Sequence, residues 1–236
     1  VYKRQKQQLM DIQVLSTLGL TKDDIKALGA QNNIERAVGA YCIDAWAGDL
    51  VAKAYSITDG MNLLTVTSGR MPARPDECIV DKNLLEKMKI SVGDSITIDP
   101  SDDYEDCLTH KNFTIVGTAV SPYYISVERG SASIGSGNVR AYVYLPEGAF
   151  DLDYYTVAYA KVKGAQELTA FTDEYDDYID DVMDSLKDFG DRRAKLRYDD
   201  IIDEAQGKID DAQKELDDKE NCLLYTSPSP RDKRQS

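Results

Sequence analysis

Between residues 198 and 216 the apolar side chains Tyr198, Ile202, Ala205, Ile209, Ala212 and Leu216 fall at spacings of 4, 3, 4, 3 and 4. That alternation is the seam of a heptad, which only an α-helix can place on one face. The other positions are mostly Asp, Glu and Lys. Gly207 lies off the seam and costs about 1 kcal/mol of helix propensity. A single helix of this kind cannot bury its stripe, so it needs a partner helix, expected in sequence outside this segment. The expectation is a long acidic coiled-coil helix over 191–221.

Before it, the periodicity differs. Residues 9–31 read as a leading segment and then a helix, with Thr21 as N-cap and acids in its first turn. A hairpin is expected over 36–58, turning at Gly48-Asp49. Short strands follow at 78–80, at 95–99, where apolar and polar residues alternate after a Gly93-Asp94 turn, and at 113–120. A helical turn or two is expected over 83–88, and an acidic loop over 99–106. A Gly/Ser loop over 130–137 leads into Val139-Arg140-Ala141-Tyr142-Val143-Tyr144-Leu145-Pro146, and one more strand covers 154–162. From 165 to 189 the period turns helical, with Leu168, Phe171, Tyr175, Tyr178, Ile179, Val182, Met183 and Leu186 on one face, ending at Gly190. The fold class is therefore α+β.

Charge narrows the function. The formal net charge is −14. Such a surface repels phosphate backbones and anionic headgroups, so nucleic acid is a poor partner and peripheral membrane binding through a basic patch is not expected. No run of about 18 apolar residues exists to span a bilayer.

The two ends differ from the rest. Residues 222–232 read CLLYTSPSPRD, with two Pro and no helical period. The string resembles the translation of a transposase-type sequencing adapter, and Val1-Tyr2-Lys3-Arg4-Gln5 resembles its opposite end. Residues 1–5 and 222–236 are accordingly expected to be adapter-derived, with the native segment running over about 6–221. Cys42, Cys78 and Cys107 remain, an odd number at wide spacing that makes neither a disulfide framework nor a zinc knuckle. A Cys42–Cys107 bridge stays open.

Residues that could carry chemistry are few. His110 is the one histidine, in an acidic loop. A triad would need a positioned nucleophile, and a metal site more nitrogen or sulfur ligands, so a structural or surface role is expected. The 130–137 loop lacks the Gly-Lys-Ser/Thr ending of a phosphate cradle and precedes a strand. The acidic pairs Asp102-Asp103, Asp176-Asp177, Asp180-Asp181 and Asp199-Asp200 lack the calcium-loop spacing and read as solvated faces. Tyr123, Tyr124, Tyr154 and Tyr155 could line a groove for a hydrophobic ligand or peptide, but strand packing with wet hydroxyls explains them better. No catalytic, cofactor-binding or metal residue is assigned, and no cofactor.

The order of the pieces resembles one family. Ser16 to Ile25, then Gly69-Arg70-Met71-Pro72, Glu77-Cys78-Ile79-Val80-Asp81, the Leu85–Ile90 helix and Val92-Gly93-Asp94-Ser95-Ile96-Thr97-Ile98 are similar to a run in FtsX-like (MacB-type) ABC transporter permeases of Gram-positive bacteria. Phe113-Thr114-Ile115-Val116-Gly117, Ser121-Pro122-Tyr123-Tyr124 and the 129–137 loop ending in Val143-Tyr144-Leu145-Pro146 extend the likeness over roughly 10–220. The resemblance implies a periplasmic-core type domain on the extracytoplasmic side of the cell membrane. An α/β porter part would come from 6–60 and 153–190, a mainly β sabre-like insert from 61–152, and the coiled-coil helix would follow. It also implies a cytoplasmic ABC ATPase partner, reached through membrane helices, a permease dimer, and an unknown extracellular substrate or protein. The domain would be no enzyme. Two other readings are a secreted or surface coiled-coil interaction protein, which predicts a signal peptide upstream, and a secreted hydrolase with a Tyr-lined cleft, which needs a second histidine or a buried carboxylate pair.

Overall fold

A computed structural model describes residues 8–122, 130–169 and 172–226. The chain divides into two compact units, 1–187 and 188–236.

The first unit holds two sheets. The smaller has the order β1-β10-β2 and is antiparallel throughout, from β1 (Ile12–Leu20), β10 (Tyr155–Val162) and β2 (Ile34–Ala40). The larger is built from β3 (Cys42–Ala47), β4 (Leu50–Ser56), β5 (Thr65–Gly69), β6 (Glu77–Val80), β7 (Ser95–Pro100), β8 (Asn112–Val120) and β9 (Ala141–Leu145). Its order is β5-β8-β6-β9-β4-β3-β7, and β7 pairs with β8 as well. The ladder β8-β6-β9-β4-β3-β7 thus returns to β8, and β5 branches from it.

Strand alternation explains what fills this ring. Ile43, Ala45 and Ala47 on β3, Ala52 and Ala54 on β4, Cys78 and Val80 on β6, Ile96 and Ile98 on β7, Phe113 and Ile115 on β8, and Ala141, Val143 and Leu145 on β9 are all buried in one cluster. Each set keeps the period of two, so one face of every strand points inward and side chains fill the centre. The alanines let the strands close tightly. The outward positions Tyr55, Ile79, Tyr142 and Tyr144 form a second buried cluster with Ala119 and Val139.

The small sheet is covered by α1 (Lys22–Gly29), which contacts β2 and β10. Its start is well specified. Thr21 Oγ1 accepts from the Asp24 amide at 3.1 Å, and Asp24 Oδ2 accepts from the Thr21 amide at 2.7 Å, a reciprocal capping box. The third helix, α3 (Asp173–Thr226), begins in this unit, where Tyr175, Ile179 and Val182 are buried. Between these helices lies α2 (Lys82–Met88), capped by the Asp81 side chain. In the second unit α3 continues as a helix with Tyr198, Ile202, Ile209 and Leu216 exposed.

Four sequence expectations need correction. The segment before Thr21 is strand β1, paired with β10. The strand expected from residue 36 onward is two strands in different sheets, parted at Tyr41. Residues 165–167 make a single 3-10 turn and Leu168 is non-helical, so the helix starts only at Asp173; Phe171 lies outside the described residues. The helix does not stop at Gly190, because good helix formers on both sides outweigh the cost of one glycine, and it runs on through Cys222 to Thr226.

Candidate functional site

The two sheets meet at Tyr41-Cys42, where the chain leaves one and enters the other. Backbone groups stranded by such a crossing must find partners. Here two side-chain hydroxyls supply them. The Tyr41 amide donates to Ser56 Oγ at 2.8 Å, and the Cys42 amide donates to Thr156 Oγ1 at 2.7 Å. Thr156 Oγ1 in turn donates to the Cys42 carbonyl at 3.1 Å. The Tyr41 ring stacks on Phe150 with centroids 4.7 Å apart, and burial, with nearby Tyr155, Glu147 and Asp153, pushes its phenol up to about 12.

Beside this crossing is a cavity of about 270 Å³. Tyr55 of β4 and Tyr144 of β9, which are register partners with rings 5.9 Å apart, line it together with Tyr159 of β10. Segment 56–59, Asn62, Leu63, Leu64, Met71 and Ser121 complete it. A second, more polar cleft of about 370 Å³ shares the 56–59 segment and Met71, and adds Arg36, Pro146, Glu147 and Tyr155. The first has mainly apolar walls with phenol, hydroxyl and amide groups, and the second is lined by the charged residues Arg36, Asp59 and Glu147.

The wall between them is held from two directions. Thr58 Oγ1 donates to the Met61 carbonyl at 2.5 Å, and Met61 is fully buried. The Asn62 amide donates to the Gln8 carbonyl at 2.9 Å, and Asn62 Oδ1 accepts from the Met10 amide at 3.0 Å. The segment leading into β1 is therefore bonded to the cavity wall. Next along it, Asp11 accepts from the Tyr175 hydroxyl of α3 at 2.9 Å and from the Val162 amide at 2.9 Å.

Met71 is placed by the turn that precedes β6. Glu77 is 2 % exposed and takes both guanidinium nitrogens of Arg70 at 2.7 Å, the Ala73 amide at 2.8 Å and Arg74 Nε at 3.1 Å. A carboxylate with this many donors stays ionised. The Arg70 hydrogen bonds above all, then the Ala73 amide, hold it at about 2. Gly69 and Gly117 face each other across β5 and β8, at φ +71° for Gly69, and a side chain on either would strike the other strand's backbone.

No protein-family profile matches the chain, and no curated protein matches it. Among solved structures, it is similar to the extracellular domain of the noncanonic ABC-type transporter YknZ from Gram-positive bacteria (15 % identity, TM-score 0.40, covering 71 % of this chain and 86 % of that one). It is also similar to the periplasmic region of MacB from Actinobacillus actinomycetemcomitans (11 %, 0.38, 73 % and 75 %). A third match is a domain from Porphyromonas gingivalis described as part of a permease protein (15 %, 0.33, 71 % and 75 %). Two of the matched structures are thus an extracellular domain and a periplasmic region, and the third comes from a protein described as a permease.

The residues weighed in the sequence fall as follows. His110 is exposed, its ring 6.4 Å from Phe113. The 130–137 loop is pinned by Asp44, whose Oδ2 accepts from the Ser133 amide at 2.6 Å and hydroxyl at 3.0 Å while Lys53 holds Oδ1 at 2.6 Å. Burial raises the Asp44 carboxyl, but these partners outweigh it and leave it below the ordinary range. Cys42, Cys78, Cys107 and exposed Cys222 are not joined in disulfides. Of the four tyrosines considered for a groove, Tyr155 lines a cleft, Tyr154 packs on Gly19, and Tyr123 and Tyr124 lie outside the described residues. Tyr55, Tyr144 and Tyr159 were missed. The available signal was tyrosine at outward positions of strands whose inward positions are small and apolar. Among the described residues, no helix is long and apolar enough to cross a membrane, and no cluster of three metal-ligating side chains occurs.

Proposed function

We propose that the chain is the extracytoplasmic domain of an ABC-type transporter permease. In this reading a cytoplasmic ATPase partner hydrolyses ATP, membrane helices move, and the domain passes that movement to a substrate or partner protein outside the cell. The domain performs no chemistry of its own. The small sheet with its helices is the porter-like part and the β3–β9 sheet the sabre-like insert, so the boundary expected after residue 60 moves to Tyr41, because β3 and β4 pair with the insert's strands; 191–221 is the coiled-coil helix, and the permease works as a dimer.

The observation that carries the proposal is the tie between the leading segment and the cavity wall. Gln8 and Met10 are bonded to Asn62, and Asp11 to Tyr175 at the start of α3. A pull on the chain ahead of β1 acts on Asn62, which lines the first cavity, and on the helix that leaves the sheet. A domain whose task is to convert displacement of its flanking chain into opening or closing of a site needs this linkage. The motif order from Gly69-Arg70 to Gly117 supports the same reading, because the Arg70–Glu77 clamp seats Met71 at the cavity.

The test is the sequence of the intact gene. The proposal expects an apolar stretch of about 20 residues directly before residue 6, further such stretches after the heptad helix, and an ATPase gene alongside. A cleavable signal peptide upstream with no membrane-spanning stretch in the gene overturns it in favour of a secreted interaction protein.

A further inference from the structure

We propose that the heptad stripe of α3 pairs with the same stripe of a second copy of this chain, antiparallel and centred at Gly207. This goes beyond the transport reading and does not depend on it.

The stripe is uneven in a regular way. Ile202, Ile209 and Leu216 occupy one core position of each heptad, and Ala205 and Ala212 occupy the other, with Tyr198 at the end. The large residues are exposed, as are both alanines. In a parallel pair, equal positions meet. Alanine would face alanine and leave voids between isoleucine layers, which close-packed interiors do not tolerate cheaply. Reversal about Gly207 sets large against small instead. Ile202 then meets Ala212 of the second copy, Ala205 meets Ile209, and Tyr198 meets Leu216. Six such layers span about 28 Å of helix.

Charge selects the same direction. Arg192, Arg193, Lys195 and Arg197 form a basic band ahead of the seam, and Asp217, Asp218 and Glu220 an acidic band behind it. A parallel pair sets each band against its own kind. The antiparallel pair sets Arg192 beside Glu220 of the second copy, at flanking positions where charges fix partner choice and orientation. The seam stops where Lys195 would meet Lys219, and the Lys219 ammonium is already held by Glu215 at 2.7 Å.

The test is sedimentation equilibrium of the full chain with Cys222→Ser, which removes the exposed thiol. The proposal expects a dimer that dissociates on dilution, and an Ile209→Asp variant that stays monomeric. Arg192→Glu weakens the dimer about tenfold, and the double swap Arg192→Glu/Glu220→Arg restores it, a rescue that loss of helix could not produce. Under oxidised glutathione, Gln206→Cys next to the dyad crosslinks to itself and Ala212→Cys does not. A chain that is monomeric at about 100 µM overturns the proposal. So does crosslinking through Ala212→Cys, which marks a parallel pair, or a double swap that fails to restore.

Discussion

Thr156 Oγ1 both accepts a hydrogen bond from the Cys42 amide and returns one to the Cys42 carbonyl, at 2.7 and 3.1 Å. One hydroxyl thereby satisfies both backbone groups of the residue at which the chain changes sheets, and Thr156 is 8 % exposed. Replacement by valine keeps the shape and strands both groups. Thr156→Val should lose about 1–3 kcal/mol, read from urea unfolding midpoints, whereas Thr156→Ser should retain most of the stability.

Glu77 titrates against the same logic. Its carboxyl lies at about 2 in the folded chain, well under its ordinary 4.5. A lowered folded value means that its contribution is fully present above about 4.5 and is lost as pH falls toward 2. Unfolding midpoints of wild type and Glu77→Gln should differ most at neutral pH and converge at about pH 2. A gap that stays constant across that window would show that the Arg70 clamp is not electrostatic.

Gly69 and Gly117 allow no side chain between β5 and β8. A Cβ on Gly117 would lie 2.6 Å from the Arg70 carbonyl and 2.7 Å from that of Ser68. Backbone cannot swing aside as a flexible side chain can. Gly117→Ala and Gly69→Ala should each cost more than about 1 kcal/mol, seen as a lower thermal midpoint, while Gly148→Ala, with open space around it, should be near neutral.

Thiol chemistry separates the four cysteines. Burial pushes Cys42 and Cys78 up to about 12 and Cys107 to about 11, so none is a thiolate at neutral pH. A thiol reagent should titrate Cys222 alone in the native chain and all four cysteines in denaturant. Only two titrating in denaturant without reductant would reveal a Cys42–Cys107 bridge.

The Thr21 cap, the Gly93-Asp94 turn and the strands at Cys78, Ser95 and Phe113 could be read from local chemistry, because each rests on near neighbours. The fate of Tyr41 could not. Residues 37–43 form one uncharged run, and the partners of its backbone at the division, the hydroxyls of Ser56 and Thr156, are distant in sequence. Strand β1 escaped notice because its Leu15 is 70 % exposed and it lacks a clean alternation. The cavity was equally hidden, since Tyr55, Tyr144 and Tyr159 come from three strands brought together only by the sheets. The heptad stripe was legible throughout; the passage of the helix across Gly190 was not, because a lone glycine is a modest cost rather than a stop.

The order β1-β10-β2 has a consequence for the timing of synthesis. Its middle strand is the last of the ten to leave the ribosome, so β1 and β2 have no mutual ladder and must wait until Val162 has emerged. Through that interval two strands present open edges, while the β3–β4 hairpin can already close on itself. Late arrival of one strand thus makes the small sheet the final act of folding and its two flanking strands the segments most in need of protection from self-association.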